Sequence, residues 1–340
     1  MKIGNFDLDK DGVFIIAEMS ANHNGSLQTA LDTIKAAKES GANAIKLQTY
    51  RADTITLDCK KDDFMIDGGT FWDGKNLYEL YEEAYTPWEW HKELFEYARS
   101  IDIDIFSSPF DKSAVDFLET LKPSAYKIAS FEITDYELIR YTASKAKPII
   151  ISTGIALEDE IKDAIDICKS VGNEQIILLK CTSEYPAPLN QAHLQTIPKL
   201  KETYSVEVGF SDHTIGSTAP IVAVTLGAKV IEKHFIIDKS IGGADAGFSM
   251  EAKDFKLMVS AIREAEQLLV GVDDFKEEKS GRRFSRSIYV SKDIKKGDVL
   301  SDENLKSVRP GYGMHPKYLK DVLGTKAKRD YGFGDRFINE

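Results

Sequence analysis

The feature that most constrains this chain is a rhythm. Eight short apolar runs alternate with segments of helical periodicity, and no hairpin signal interrupts them. The runs are VFIIAE (13–18), ANAIKLQ (42–48), DIDIFSS (102–108), AYKIAS (125–130), PIIIST (148–153), QIILLKCT (175–182), VEVGFS (206–211) and KVIEKHF (229–235). Helical patterns such as LQTALDTIKAAKESG (27–41) lie between them, and EAKDFKLMVSAIREAEQLL (251–269) follows the last. Strands joined through helices pair in parallel, so eight such repeats predict an α/β fold, a (β/α)8 TIM barrel. A doubly wound open sheet shares the alternation, but SANHNGS after the first run is not the expected GxGxxG.

Length fits a barrel plus an appendage, since the chain has 340 residues and a barrel takes about 250. We expect a barrel over residues 1–270, a charged linker over 271–284 and a small β-rich module over 285–340. The module carries the apolar pieces SIYV and DVL, with turn signals at KKGD and RPGYG. One stretch breaks the rhythm. Residues 49–86, rich in Asp, Gly and aromatics, form a connection long enough to be a lid or binding loop after the second strand.

Charge removes some partners. The formal net charge of -11 argues against nucleic acid, which needs a basic face, while an anionic small molecule can still find a local basic pocket. Cys59, Cys168 and Cys181 show no paired spacing and read as reduced thiols of a cytoplasmic protein. The first apolar run, Val13 to Ala17, is too short for a signal segment or a membrane span, so no membrane partner is expected.

Barrels bind ligands at the carboxyl ends of their strands. In strand order those ends carry Glu18; Lys46 and Gln48; Ser107 and Ser108; Lys127, Ser130 and Glu132; Ser152; Thr182, Ser183 and Tyr185; Ser211, Asp212 and His213; and Glu232, Lys233 and His234. Lys46 and Lys127 stand inside apolar runs, where lysine is rare unless paired. Three readings are open: a lysine paired to a carboxylate such as Glu18 or Glu132, an anion ligand helped by serine hydroxyls, or a Schiff-base lysine. His213 and His234 stand one βα unit apart. They read either as a metal pair or as two core histidines. As a metal pair they leave positions open for water or substrate, which suits a Mn2+-like ion that polarises a carbonyl. Asp245 in GGADAG completes that site, binds a hydroxyl or simply forms a turn.

The motifs IIAEMSANHNGS, IKLQTY, FSSPFD, YKIASFEIT, ISTG, KCTSEYPAP, GFSDHT and EKHF occur in this order. The set resembles the sialic acid synthase family, N-acetylneuraminate synthase-like enzymes. KDIKKGDVLSDENLKSVRPG resembles that family's C-terminal antifreeze-like (SAF) domain. The match covers nearly the whole chain. SANHNG and GGTFWDGKNLYELYEEAYTP are most similar to the family's pseudaminic acid branch. The resemblance implies a divalent ion (Mn2+, Mg2+ or Co2+) on His213 and His234. It implies phosphoenolpyruvate on Lys46, Ser108, Lys127, Ser130, Ser152 and Ser211, with Glu18 as acid/base. It places Gln48, Glu132, Tyr185 and Asp245 against an acetamido sugar. Arg309 matches an arginine that one subunit's SAF domain sends into the other's active site, which implies a domain-swapped homodimer.

The implied reaction condenses phosphoenolpyruvate with 2,4-diacetamido-2,4,6-trideoxy-L-altrose and water. It yields pseudaminic acid and phosphate, for surface glycan assembly. Ser183, Glu184 and the AGFSME that follows Asp245 depart from the family pattern on the sugar side. They keep neuraminate and legionaminate synthesis open as alternatives. A sugar-binding protein on a barrel scaffold is the alternative without catalysis.

Overall fold

The computed structural model describes residues 1–67, 72–272, 275–276 and 279–338. Residues 68–71 of the aromatic loop and residues 273–274 and 277–278 of the linker lie outside the described residues. The chain divides into two compact units, Met1–Val270 and Gly271–Glu340.

The first unit is the barrel that the eight apolar runs predict. Its strands are β1 (Phe14–Glu18), β2 (Ala44–Thr49), β3 (Asp104–Pro109), β4 (Tyr126–Ile128), β5 (Ile149–Ser152), β6 (Ile176–Cys181), β7 (Glu207–Asp212) and β8 (Val230–Ile236). Each pairs in parallel with the next, and β8 also pairs with β1, which closes the sheet. Helices return along the outside. Their starts are fixed by side chains just after the strands: Ser26 accepts from the Thr29 amide at 3.2 Å, Asp111 from Ala114 at 3.1 Å and Asp135 from Leu138 at 3.0 Å. Such caps satisfy amides that the first helical turn leaves unpaired.

Side chains alternate across each strand, and the two faces bury different things. Outward residues such as Ile15, Ile45, Leu178 and Phe210 join helix residues such as Leu94, Phe255 and Ile262 in the main core. Inward residues near the strand starts form a second apolar cluster, including Phe14, Ile16, Phe106, Ile150, Leu179 and Val230. Gly209 belongs to this crowded interior. A Cβ there would lie 2.3 Å from the Val230 carbonyl oxygen and 2.6 Å from Leu179.

The barrel floor holds an element that the sequence pattern does not announce. An antiparallel hairpin, Lys2–Ile3 with Phe6–Asp7, places Ile3 and Leu8 in the inner cluster and plugs the end where the strands begin. Higher in the same inward register the residues turn polar, and this change sets where chemistry can occur.

Among its described residues, the long connection after β2 carries the α-helices Ala52–Ile55 and Leu77–Ala84, the latter capped by Asn76, and a short 3-10 turn at Asp62–Phe64. The second unit has its own core, built from Ile288, Val290, Ile294, Leu300, Leu305 and Phe337 among others. Its antiparallel strands are Ser287–Val290 and Leu305–Val308. Arg309 follows the second of these and is exposed. No helix among the described residues is long and apolar enough to cross a membrane.

Candidate active site

Two lysines and two glutamates meet at the upper end of the barrel interior. The Lys46 ammonium contacts the Glu18 carboxylate, donates to Ser108 Oγ at 3.2 Å and lies 3.8 Å from Glu232. Lys127 also lies 3.8 Å from Glu232 and donates to the Ile128 carbonyl at 3.2 Å. Ser211 Oγ donates to Glu232 at 3.2 Å. All of these side chains are buried. Of its three sequence readings, Lys46 shows the pairing with Glu18, and its ammonium lies in the strand-end interior. Lys127 pairs with Glu232 rather than with Glu132.

The layer is not closed by its own hydrogen bonds. Ser152 Oγ and one oxygen each of Glu232 and Glu132 are buried without a hydrogen-bond partner. Buried polar atoms are rarely left so, and a cluster of them marks a place for a ligand. Ser130 Oγ accepts from the Gly154 amide at 3.1 Å. Gln48 donates to Glu18 at 3.2 Å and to Ser20 Oγ at 2.9 Å.

Above this layer opens a cavity of about 1030 Å³, lined by Gln48, Glu132, Tyr185, His234 and Asp245 among others. The loop after β2 supplies part of its wall through Trp72, Leu80 and Tyr81. The His213 and His234 rings stand with centroids 5.4 Å apart, and Tyr185 packs on His213 at 4.2 Å. Asp245 Oδ2 accepts from the Ala21 amide at 3.3 Å.

Burial and charge separate the acids. Burial raises the Glu18 carboxyl, aided by the charge of Glu232 and opposed by Lys46. Burial would raise Glu232 too, but Lys127 and Lys46 outweigh it and hold that carboxyl low. Two carboxyls driven apart in this way divide into a proton carrier and a fixed charge. Enclosure pushes Glu132 up to about 7. Burial, reinforced by the charge of His213, holds His234 well below the usual histidine range.

A neutral histidine is the form that binds metal; burial favours it at His234, whereas at His213 the neighbouring Cys181 outweighs burial and raises the imidazole. His234 Nδ1 is buried and unpartnered, while His213 Nδ1 is taken by the Thr182 carbonyl at 2.8 Å, which frees its other nitrogen. That backbone bond is the usual way a ligating imidazole is oriented. Among the described residues, no group of three or more His, Cys, Asp or Glu side chains is arranged to hold a metal. Asp245 accordingly does not complete a triad with the histidines. The donor set fits a weakly held divalent ion whose remaining positions go to oxygen ligands from outside the protein.

The sequence pattern of the NeuB family matches residues 33–273. The chain belongs to the NeuB family. The SAF domain pattern matches residues 285–331, so this NeuB-family chain carries that module behind its barrel. It is 53% identical over 337 residues to the pseudaminic acid synthase of Campylobacter jejuni, covering 98% of each chain. It is 50% identical over 319 residues to that of Helicobacter pylori, covering 93% of each. Among solved structures it is similar to the Bacillus subtilis spore coat polysaccharide biosynthesis protein spsE. There the TM-score is 0.69 and the identity 34%, over 99% of this chain and 97% of the other.

Two inward residues of this NeuB-family barrel have no role in the sequence reading. Glu232 bridges both lysines. Cys181 lies 3.8 Å from His213 Nδ1, and the charge and hydrogen bond of that histidine outweigh burial to bring the thiol down to about 7. The strand period would have found Glu232, because it stands two residues before His234 on the same face. Arg309 belongs to the second unit.

Proposed function

We propose that this chain is a pseudaminic acid synthase. It joins phosphoenolpyruvate to 2,4-diacetamido-2,4,6-trideoxy-L-altrose and water, and releases pseudaminic acid and phosphate. The observation that carries the reading is the buried lysine–serine layer with unsatisfied polar atoms, lying directly under a histidine pair. The identity to pseudaminic acid synthases of two organisms supports the choice of sugar.

Lys46 and Lys127, with Ser108, Ser130, Ser152 and Ser211, hold the phosphate and carboxylate of phosphoenolpyruvate through charge-assisted hydrogen bonds. Gln48, Glu132, Tyr185 and Asp245 hold the sugar in the cavity above. A divalent ion held by His213 and His234, whether Mn2+, Mg2+ or Co2+, would supply Lewis-acid polarisation of the sugar aldehyde oxygen. The methylene carbon of phosphoenolpyruvate forms the new bond to the aldehyde carbon. Water then adds at the neighbouring carbon, and the bond from that carbon to the phosphate oxygen breaks. Glu18 takes the water proton on its carboxylate and can pass one to the sugar oxygen. Glu232 stays ionised between the lysines; its charge helps raise Lys46 and opposes the burial that lowers Lys127. Fixing two substrates in one cavity makes an intermolecular step local.

Arg309 enters the partner subunit's site in a homodimer, where its planar fork suits carboxylate or sugar oxygens. The enzyme works in the cytoplasm. Phosphate release tests the reading, with phosphoenolpyruvate, a divalent ion and a panel of acetamido sugars. Release with the 6-deoxy diacetamido altrose ahead of N-acetylmannosamine is expected. Preference for N-acetylmannosamine overturns the sugar assignment, and no release with any sugar overturns the synthase.

A further inference from the structure

Asp212 and Lys233 sit on the outward faces of β7 and β8, opposite each other in the register. They are 1% and 2% exposed, and the mechanism above uses neither. Lys233 Nζ donates to Asp212 Oδ2 and, at 2.7 Å, to the carbonyl of Thr214. Asp212 Oδ1 in turn accepts from the Thr214 amide at 2.8 Å. Asp212 precedes His213 and Thr214 follows it, while Lys233 precedes His234. The residues on both sides of one histidine, Asp212 through its carboxylate and Thr214 through its carbonyl, are therefore tied to the residue beside the other.

A buried ion pair is a weak source of stability, because desolvation offsets most of its attraction, and a well-packed apolar pair often does as well. This pair does something an apolar pair cannot. Its hydrogen bonds pin the turn that carries His213 to the strand that carries His234. Two imidazoles share an ion only if a nitrogen of each comes within bonding distance of it, so a small slip between β7 and β8 loses one ligand. We propose that Asp212 and Lys233 are positioning residues that set the separation of His213 and His234, and through it the affinity for the divalent ion. The inference rests on the metal reading above.

The test uses the full chain, stripped with EDTA and titrated with Mn2+ alone, without substrates. Electron paramagnetic resonance reports free ion through its intensity and bound ion through its line shape. The parent should bind, and His234→Ala should abolish binding. Lys233→Met should weaken binding about 10- to 100-fold, the range for outer ligand supports, and alter the bound-ion spectrum. Lys233→Arg should recover part of the loss. Asp212→Asn keeps the shape and an acceptor for the Thr214 amide, so it carries the test if Lys233→Met does not fold. Variants that fold and bind Mn2+ within twofold of the parent, with the parent's spectrum, overturn the inference alone. A parent that binds no Mn2+ overturns the metal reading and the inference with it.

Discussion

Glu132 is the residue whose proton is easiest to read from outside. Its carboxyl is pushed up to about 7 from an ordinary value near 4.5, chiefly by burial. The folded state thus binds this proton more tightly than the unfolded state does, so protonation favours the fold. That contribution is complete below about pH 4.5 and is lost as pH rises through about 7. Glu132→Gln keeps the shape and removes the titration. Its unfolding free energy should gain on the parent's between pH 5 and 7 and hold a constant lead above, on the order of 1–2 kcal/mol after allowance for partial solvent access, read as a higher relative melting temperature. Parallel stability curves for the two proteins would contradict this. At this scale the sequence was informative wherever a polar residue interrupted an apolar run. Lys46 and Lys127 stand out because lysine does not belong among isoleucines. Glu232 did not stand out, since it sits in a charged cluster with Lys233 and His234, and only the strand period separates the inward pair from the outward lysine.

Elements were legible in proportion to their length. The eight barrel strands are buried on both faces, so each reads as an unbroken apolar run. The floor hairpin has strands of two residues each, too short for any period to register. Its role comes from tertiary packing: Ile3 and Leu8 are fully buried among strand-start side chains. Leu8→Ala should therefore cost about 2–5 kcal/mol, as large-to-small core changes do, read as a lower urea midpoint. The apparent constants for both substrates should stay put, because the floor lies at the other end of the barrel from Lys46 and His213. A shifted phosphoenolpyruvate constant would mean that the floor and the site are mechanically linked.

At the scale of the whole molecule, the chain is two units with separate cores. Both were legible as compositional bodies. The residues themselves offered no role for Arg309, because an exposed arginine in a small module carries no local signal; its proposed role came from the family resemblance alone. Subunit mixing tests the homodimer. Arg309→Ala and Glu18→Ala should each be inactive alone. Mixed and allowed to exchange, they should regain up to about a quarter of parental turnover, since sites combining an intact barrel with an intact arginine arise only in mixed dimers. A dead mixture in which mass measurement finds mixed dimers would place Arg309 in its own chain's site or in none.

The barrel closes by pairing β8 with β1, so its first strand is completed by its last. During synthesis at about 5–20 residues per second, the roughly 210 residues between them take on the order of 10–40 s to emerge. For that interval the nascent sheet has two open edges, each a template for another chain. That exposure begins before the chain is released from the ribosome. Slower translation or scarcer chaperones should therefore lower its yield, since both lengthen the time the edges stay open.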